Sequence, residues 1–274
     1  MSSSTLDCAP GEPQRAYVQA NGIQLSYLEW GQSGPPLVLL HGITSSARTW
    51  WRVAPALQQR GFHVYAFDMP GHGESAETND HRIEAIAATV AAALRALNLS
   101  DVTLIGHSWG GITALTLAHS ADGALLKRTA LIDPPLKMDP ERGAERLPGF
   151  LEGVGEPPEQ TLPRVRANNP DWHECDFHWK GEALVQCRAD AVRGLFLHSG
   201  NWDSTGYFAE IEMPLLLLVP DPEHSAIPAD VLEIARGAMR SNTHLQYIPN
   251  TTHNMFRGKG FEPTLAALLA WLGV

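Results

Sequence analysis

Apolar positions along this chain follow two rhythms. Over residues 17–28 apolar and polar side chains alternate on either side of Asn21-Gly22, which predicts two strands joined by a tight hairpin. Further on, short continuous apolar runs recur at 37–40, 62–67, 102–105, 129–132 and 215–219, as expected of strands covered on both faces. Between them lie stretches with helical spacing at 46–60, 82–97 and 112–119. A last strand at 244–248 falls between helical stretches at 229–239 and 263–272. A hairpin followed by alternating strands and helices predicts an α/β domain, with a mostly parallel central sheet, right-handed crossovers and flanking helices.

The rhythm breaks between 134 and 212, where prolines, aromatics and charges accumulate without a clear strand. Some eighty residues are long for a loop, so this stretch is expected to form a small helical lid or cap inserted after the sixth strand, with helices at 158–168 and 182–197. The expected organisation is therefore a loose tail over 1–14, a core made of 15–133 and 213–274, and the insertion 134–212. A length of 274 residues and a hydrophobic content of 44% suffice for one large core. The net charge of −10, with a pI near 5.6, argues against nucleic acid and anionic membrane surfaces as partners and leaves a small-molecule substrate. The longest apolar run, 215–219, is far too short to span a bilayer, and residues 1–12 lack the basic and apolar regions of a signal peptide. Cys8, Cys175 and Cys187 are too few and too scattered for a disulfide framework or a zinc cluster, so a reducing cytoplasm is the simplest location expected. The oligomeric state is not legible.

Chemistry concentrates where the run 102–105 meets the helical stretch 112–119. Between them stands Gly106-x-Ser108-x-Gly110, the strand–turn–helix pattern of a nucleophile elbow. A serine in so sharp a turn needs neighbours without side chains two positions away on either side, so that strand and helix can approach. It then faces the free amides of a helix N-terminus, which favour developing negative charge.

Four signals in order, His41-Gly42, Asp68-x-Pro70-Gly71-x-Gly73-x-Ser75, Gly106-x-Ser108-x-Gly110 and a late His253, resemble the α/β-hydrolase superfamily over nearly the whole chain outside the tail and the insertion. The resemblance implies the α/β-hydrolase fold and a lidded, esterase-like serine hydrolase with residues in the order serine, acid, histidine. Ser108 would be the nucleophile and His253, in the loop after the last strand, the base. The acid is expected after the strand 215–219. Asp221 is favoured there, Glu223 is a second choice, and Asp133 at the end of the preceding strand is a third, since this chain departs from the common Gly-x-x-Asp pattern. The oxyanion hole would be the backbone amides of Ile43 and Trp109. His41, His107 and the loop 68–75 read as scaffold rather than chemistry. No metal or other cofactor is called for: His173-Glu174-Cys175-Asp176-x-His178 lacks an established ligand spacing. The insertion's aromatics are expected to divide between a pocket and the insertion's own core. The expected function is hydrolysis of an ester, thioester, lactone or amide of a small, fairly apolar molecule through an acyl-enzyme. The alternatives are non-hydrolytic use of the same residues (a lyase, a C–C bond hydrolase or a cofactor-free haloperoxidase-like enzyme) and a small-molecule receptor with little turnover. Aspartate-nucleophile dehalogenase or epoxide-hydrolase chemistry is disfavoured, because a serine stands at 108.

Overall fold

The computed structural model describes Cys8, residues 11–199 and residues 201–274; most of the tail expected over 1–14 lies outside them. Strands β1 (Gln14–Ala20) and β2 (Ile23–Trp30) form the antiparallel hairpin, turning at Asn21 and Gly22, both with positive φ as a two-residue turn of this hand requires. Then come β3 (Pro36–Leu40), α1 (Val53–Gln58), β4 (His63–Phe67), α2 (Ile83–Ala96), β5 (Val102–His107), α3 (Trp109–His119) and β6 (Leu126–Ile132). After the insertion the core resumes with β9 (Leu215–Val219), α8 (Ala229–Ala238), β10 (Thr243–Tyr247) and α9 (Phe261–Leu272), two short insertion strands carrying the intervening numbers. The eight-stranded sheet has the order β1-β2-β4-β3-β5-β6-β9-β10 and is parallel from β4 to β10.

The continuous apolar runs are explained by two cores, one on each face. Along β9, Leu215, Leu217 and Val219 pack into the core under α2, α3 and α8, while Leu216 and Leu218 pack into the core under α1 and α9. Along β3, Val38 and Leu40 face the first core and Leu37 and Leu39 the second. Period-two alternation is still present; both phases are apolar because both faces are covered.

Two expected helices are broken. Residues 46–60 form a single-turn 3₁₀ segment, Ala47–Trp50, and then α1. A continuous helix would place Pro55 in its interior, losing a hydrogen bond and clashing with the preceding turn; at the third position of α1 it is tolerated. In the insertion, α4 (Pro140–Leu151) and α5 (Pro158–Asn168) precede α6 (Glu174–Gln186) and α7 (Ala189–His198), so the helix expected at 182–197 is two helices. They part at Cys187-Arg188, both extended, where the Arg188 amide donates to the Gly71 carbonyl of the core at 3.0 Å. Helix α4 had its own signal, Asp139 capping the Arg142 amide (2.9 Å) ahead of a first-turn proline. The insertion closes at its base through β7 (Lys137–Met138) and β8 (Trp202–Asp203), paired antiparallel, with an ion pair between Lys137 and Asp203 at 2.9 Å.

The cysteine reading is corrected. Cys8 and Cys175, at the start of α6, form a disulfide although they stand 167 positions apart in the sequence. There the Trp179 indole donates to the Cys8 carbonyl at 2.8 Å, and Trp51 packs alongside. Spacing alone does not reveal such a pair. The bond also removes the premise on which a reducing compartment was expected. His173 to Asp176 cap α6: the Cys175 amide donates to the His173 ring at 3.1 Å and the His173 amide to the Asp176 carboxylate at 3.1 Å. Closing so long a loop contributes ~2–4 kcal/mol in typical cases. Cys175→Ser is therefore expected to lower the melting temperature by roughly 5–15 °C. A melt that neither the substitution nor a reductant shifts would mean that the disulfide adds nothing to stability. Among the described residues no helix is long and apolar enough to cross a membrane.

Candidate active site

Strand β5 ends at His107 and α3 begins at Trp109, so Ser108 alone makes the turn. Its backbone, φ 52° and ψ −118°, is a conformation that costs a residue with a side chain about 1–3 kcal/mol. The close approach of strand and helix holds it there. A Cβ on Gly106 would lie 2.1 Å from the Gly110 carbonyl oxygen, and one on Gly110 would lie 2.4 Å from that of Leu40. The Ser108 amide donates to the Ile132 carbonyl at 2.9 Å, tying the turn to β6.

His253 stands in the loop after β10, and its Nδ1 lies 2.5 Å from Oδ2 of Asp133. Asp133 is fully buried at the end of β6, with φ 45°. Its Oδ1 accepts from the Ser225 hydroxyl at 2.6 Å, and Oδ2 also accepts from the Ala226 amide at 2.8 Å. The acid bonded to His253 is thus Asp133, the third choice in the sequence, and not the favoured Asp221. Asp221 precedes a short 3₁₀ turn, Pro222–His224, and is half-exposed, while Glu223 is exposed. The loop after β9 passes the site by presenting Ser225 and Ala226 to the Asp133 carboxylate instead of an acid to His253. A charged residue directly after a continuous apolar strand has no water to face and needs partners; that was the signal for Asp133.

The amide of Trp109 opens α3, where helical amides have no acceptor within their own helix. The amide of Ile43 has no acceptor among the described residues, and both residues line the cavity with Ser108. The Gly42–Ile43 peptide is oriented from below. His41 Nδ1–H donates to the Gly42 carbonyl at 2.8 Å, and its Nε2 accepts from the Met69 amide at 2.9 Å. Burial pushes the His41 pKa down to about 4, so this neutral tautomer persists. His72 does the same one residue on, accepting from the Thr44 amide at 3.2 Å. Asp68 accepts from the amides of Ala47 (2.7 Å) and Glu74 (3.2 Å), and Ser75 donates to the Asp68 carbonyl at 2.6 Å, as a scaffold loop would. His107, held well below the ordinary imidazole pKa by burial and then by His253, donates through Nε2 to the His253 carbonyl at 3.0 Å. It anchors the loop that carries the candidate base.

Two chambers share Ser108 and His253. The larger, about 270 Å³, is lined by Ile43, Met138, Phe150, Leu195, Phe196 and Trp202, with Arg146 and His224 also on its wall. The smaller, about 120 Å³, is lined by Thr44, Ser45, Trp172, Lys180, Asn254 and Arg257. The insertion's aromatics are divided between tasks. Phe150, Phe196 and Trp202 face the large chamber, Phe177 packs on Val165 and Leu184 within the insertion, and Phe208 belongs to the main core. Arg146, Lys180 and Arg257 were missed in the sequence, where nothing separates them from surface cations.

A parallel sheet with its order, a serine on the strained turn after its central strand, and an aspartate-bonded histidine lining the same cavity accord with a hydrolase architecture, and the chain belongs to the α/β hydrolase fold family, whose model matches residues 35–162. It is 31% identical to the N-formylmaleamate deformylase of Pseudomonas putida, over 86% of this chain and 88% of that one. It is 36% identical to a non-heme haloperoxidase of Rhodococcus erythropolis, over 86% and 91%. Among solved structures it resembles the N-formylmaleamic acid deformylase of Pseudomonas putida S16, with a TM-score of 0.76 and 25% identity, over 93% of this chain and all of that one.

Proposed function

We propose that the protein is a serine hydrolase that opens an amide or ester of a small carboxylic acyl group through an acyl-enzyme. The observation that carries this is Ser108 on its strained turn, sharing a cavity with a His253 whose Nδ1 is bonded to the buried Asp133. Serine is a weak nucleophile until a base takes its proton. With Nδ1–H given to Asp133, the lone pair of Nε2 is free to accept that proton as Oγ attacks the carbonyl carbon. The resulting oxyanion is received by the amides of Ile43 and Trp109. The imidazolium, stabilised by Asp133, then passes the proton to the departing nitrogen or oxygen, and water repeats the sequence to free the acid. The helices of 134–212 act as a lid, supplying the apolar wall that excludes bulk water from the bound substrate. The deformylase relatives place N-formyl amides beside short-chain esters and lactones in the substrate class to be tried.

A fluorophosphonate is expected to label one site per chain, Ser108, identified by peptide mass spectrometry. A panel of p-nitrophenyl esters from C2 to C12, with lactones and N-formyl amides, is expected to show an optimum at short acyl length, because both chambers at Ser108 are small, about 270 and 120 Å³. Label distributed over other serines, or none, would sink the reading. The haloperoxidase relative supports a second use of the same acyl-enzyme, in which hydrogen peroxide replaces water and a peracid leaves. Bromination of a diketone that needs both peroxide and a short carboxylic acid would reveal it.

A further inference from the structure

The smaller chamber beside Ser108 holds two cations with no anion to match them. Lys180 reaches it from α6 and Arg257 from the loop after His253. Lys180 is half-buried and lines the chamber. Its Nζ donates to the Thr44 carbonyl at 2.7 Å and the Thr44 hydroxyl at 2.9 Å, both neutral, which leaves one of its three donors unused. Arg257 is 5% exposed. One of its terminal nitrogens donates to the hydroxyls of Thr49 and Ser45, its plane lies over Trp172 at 4.3 Å, and its Nε has no partner. Neither forms an ion pair among the described residues. The carboxylate whose charge acts on Arg257 is Asp176, which accepts from the Trp51 indole and the His173 amide and forms no ion pair with Arg257.

A buried charge without a counterion is expensive, and a chain of net charge −10 has carboxylates to spare. Here the one acid that acts on the pair, Asp176, forms an ion pair with neither cation among the described residues. Burial, and then the charge of Arg257, push the Lys180 pKa down to about 7, and burial pushes Arg257 down to about 10. An arriving anion would relieve both. The chamber is too small for a macromolecular ligand and opens at the reacting serine, so the anion is part of the substrate. Arginine's planar fork and the ammonium together suit the two oxygens of a carboxylate.

We infer that Lys180 and Arg257 form a carboxylate subsite, so that the substrate, on the reading of Ser108 as nucleophile, is a half-ester or half-amide of a short dicarboxylic acid. Its free carboxylate lies in the smaller chamber, its scissile carbonyl at Ser108, and its remaining group in the larger, apolar chamber.

The test compares monomethyl with dimethyl esters of malonate, succinate and glutarate, followed by chromatography. A parallel calorimetric titration adds succinate to the Ser108→Ala protein. At the chain length that spans the chamber, the wild type is expected to prefer the monomethyl ester by more than tenfold in kcat/KM. The ratio of charged to neutral substrate is expected to fall at least tenfold in Lys180→Met and in Arg257→Met, and to persist in Arg146→Met, whose cation stands in the other chamber. If Arg257→Met melts early, because Arg257 also holds Ser45 and Thr49, the lysine variant and the charge-keeping Arg257→Lys decide. Ser108-dependent hydrolysis with a ratio near one, or a ratio lost only in Arg146→Met, overturns the subsite and leaves the hydrolase intact. Succinate binding that Lys180→Met abolishes, without turnover of any ester, supports the subsite and removes the hydrolase reading. Neither binding nor turnover overturns both.

Discussion

Asp133→Asn is expected to lower kcat on the best ester or amide by ~10⁴-fold, approaching the loss from Ser108→Ala, while Asp221→Asn stays within about twofold of wild type. The geometry gives the reason. An asparagine keeps the volume at the end of β6 but can turn its NH₂ toward His253, whose Nδ1 stands 2.5 Å from the carboxylate. The ring would then settle in the tautomer with Nε2 protonated, which cannot take a proton from serine. The same substitution removes the negative charge that stabilises the imidazolium. Asp221, half-exposed ahead of its short turn, touches neither group. Steady-state kinetics on the three variants, with circular dichroism to show that each is folded, checks this. A large loss in Asp221→Asn with little in Asp133→Asn would move the acid back to the loop after β9 and overturn the assignment.

The second large effect concerns folding rather than chemistry. Gly106→Ala is expected to destabilise the protein by more than about 4 kcal/mol, enough to prevent recovery of soluble folded chain. All three atoms that its Cβ would strike, at 2.1, 2.5 and 2.7 Å, are backbone atoms of Gly110 and Gly111, and backbone at the start of α3 cannot swing aside as a side chain could. Relief would require α3 to move off β5, opening the core in which Ile112, Ala114 and Leu115 are fully buried. Gly237→Ala is the matched control. It is exposed in α8 with open space where its Cβ would go, and is expected to be neutral or stabilising by roughly 0.5 kcal/mol. Denaturant melts of the two proteins make the comparison. A Gly106→Ala chain as stable as wild type would mean that the elbow tolerates a wider separation than its spacing implies.

The sheet was legible because both of its faces are covered: runs such as 215–219 are apolar at every position, and few other arrangements call for that. The place of Ser108 was legible for a related reason, since two glycines flanking a serine between strand and helix leave little other use for the pattern. Asp133 was harder. In the sequence it is one of several acids near strand ends, and what sets it apart is Ser225 and Ala226, more than ninety residues later, closing on its carboxylate. Lys180 and Arg257 belong to the same kind of information, for only the fold brings them to the wall of one chamber. The disulfide is the extreme case, joining positions 167 apart and leaving no periodic trace. Local order is written locally; convergence of distant charges is not.

The paired stubs at the base of the insertion have a consequence for how such a chain diversifies. Lys137 and Asp203 stand opposite each other in one antiparallel rung, so the polypeptide departs from the core and rejoins it through adjacent residues. Everything between them is a cassette. Recombination could exchange it for a segment of another length without displacing β6 or β9, because both of its ends are already at hairpin distance. Ser108 and Asp133 are encoded ahead of it and His253 behind it, so a new cassette would inherit the proposed hydrolytic centre whole while bringing its own chamber walls. Lys180 travels with the cassette and Arg257 does not. Preference for an anionic substrate would therefore be rewritten in one such step, with the bond-breaking chemistry left as it was.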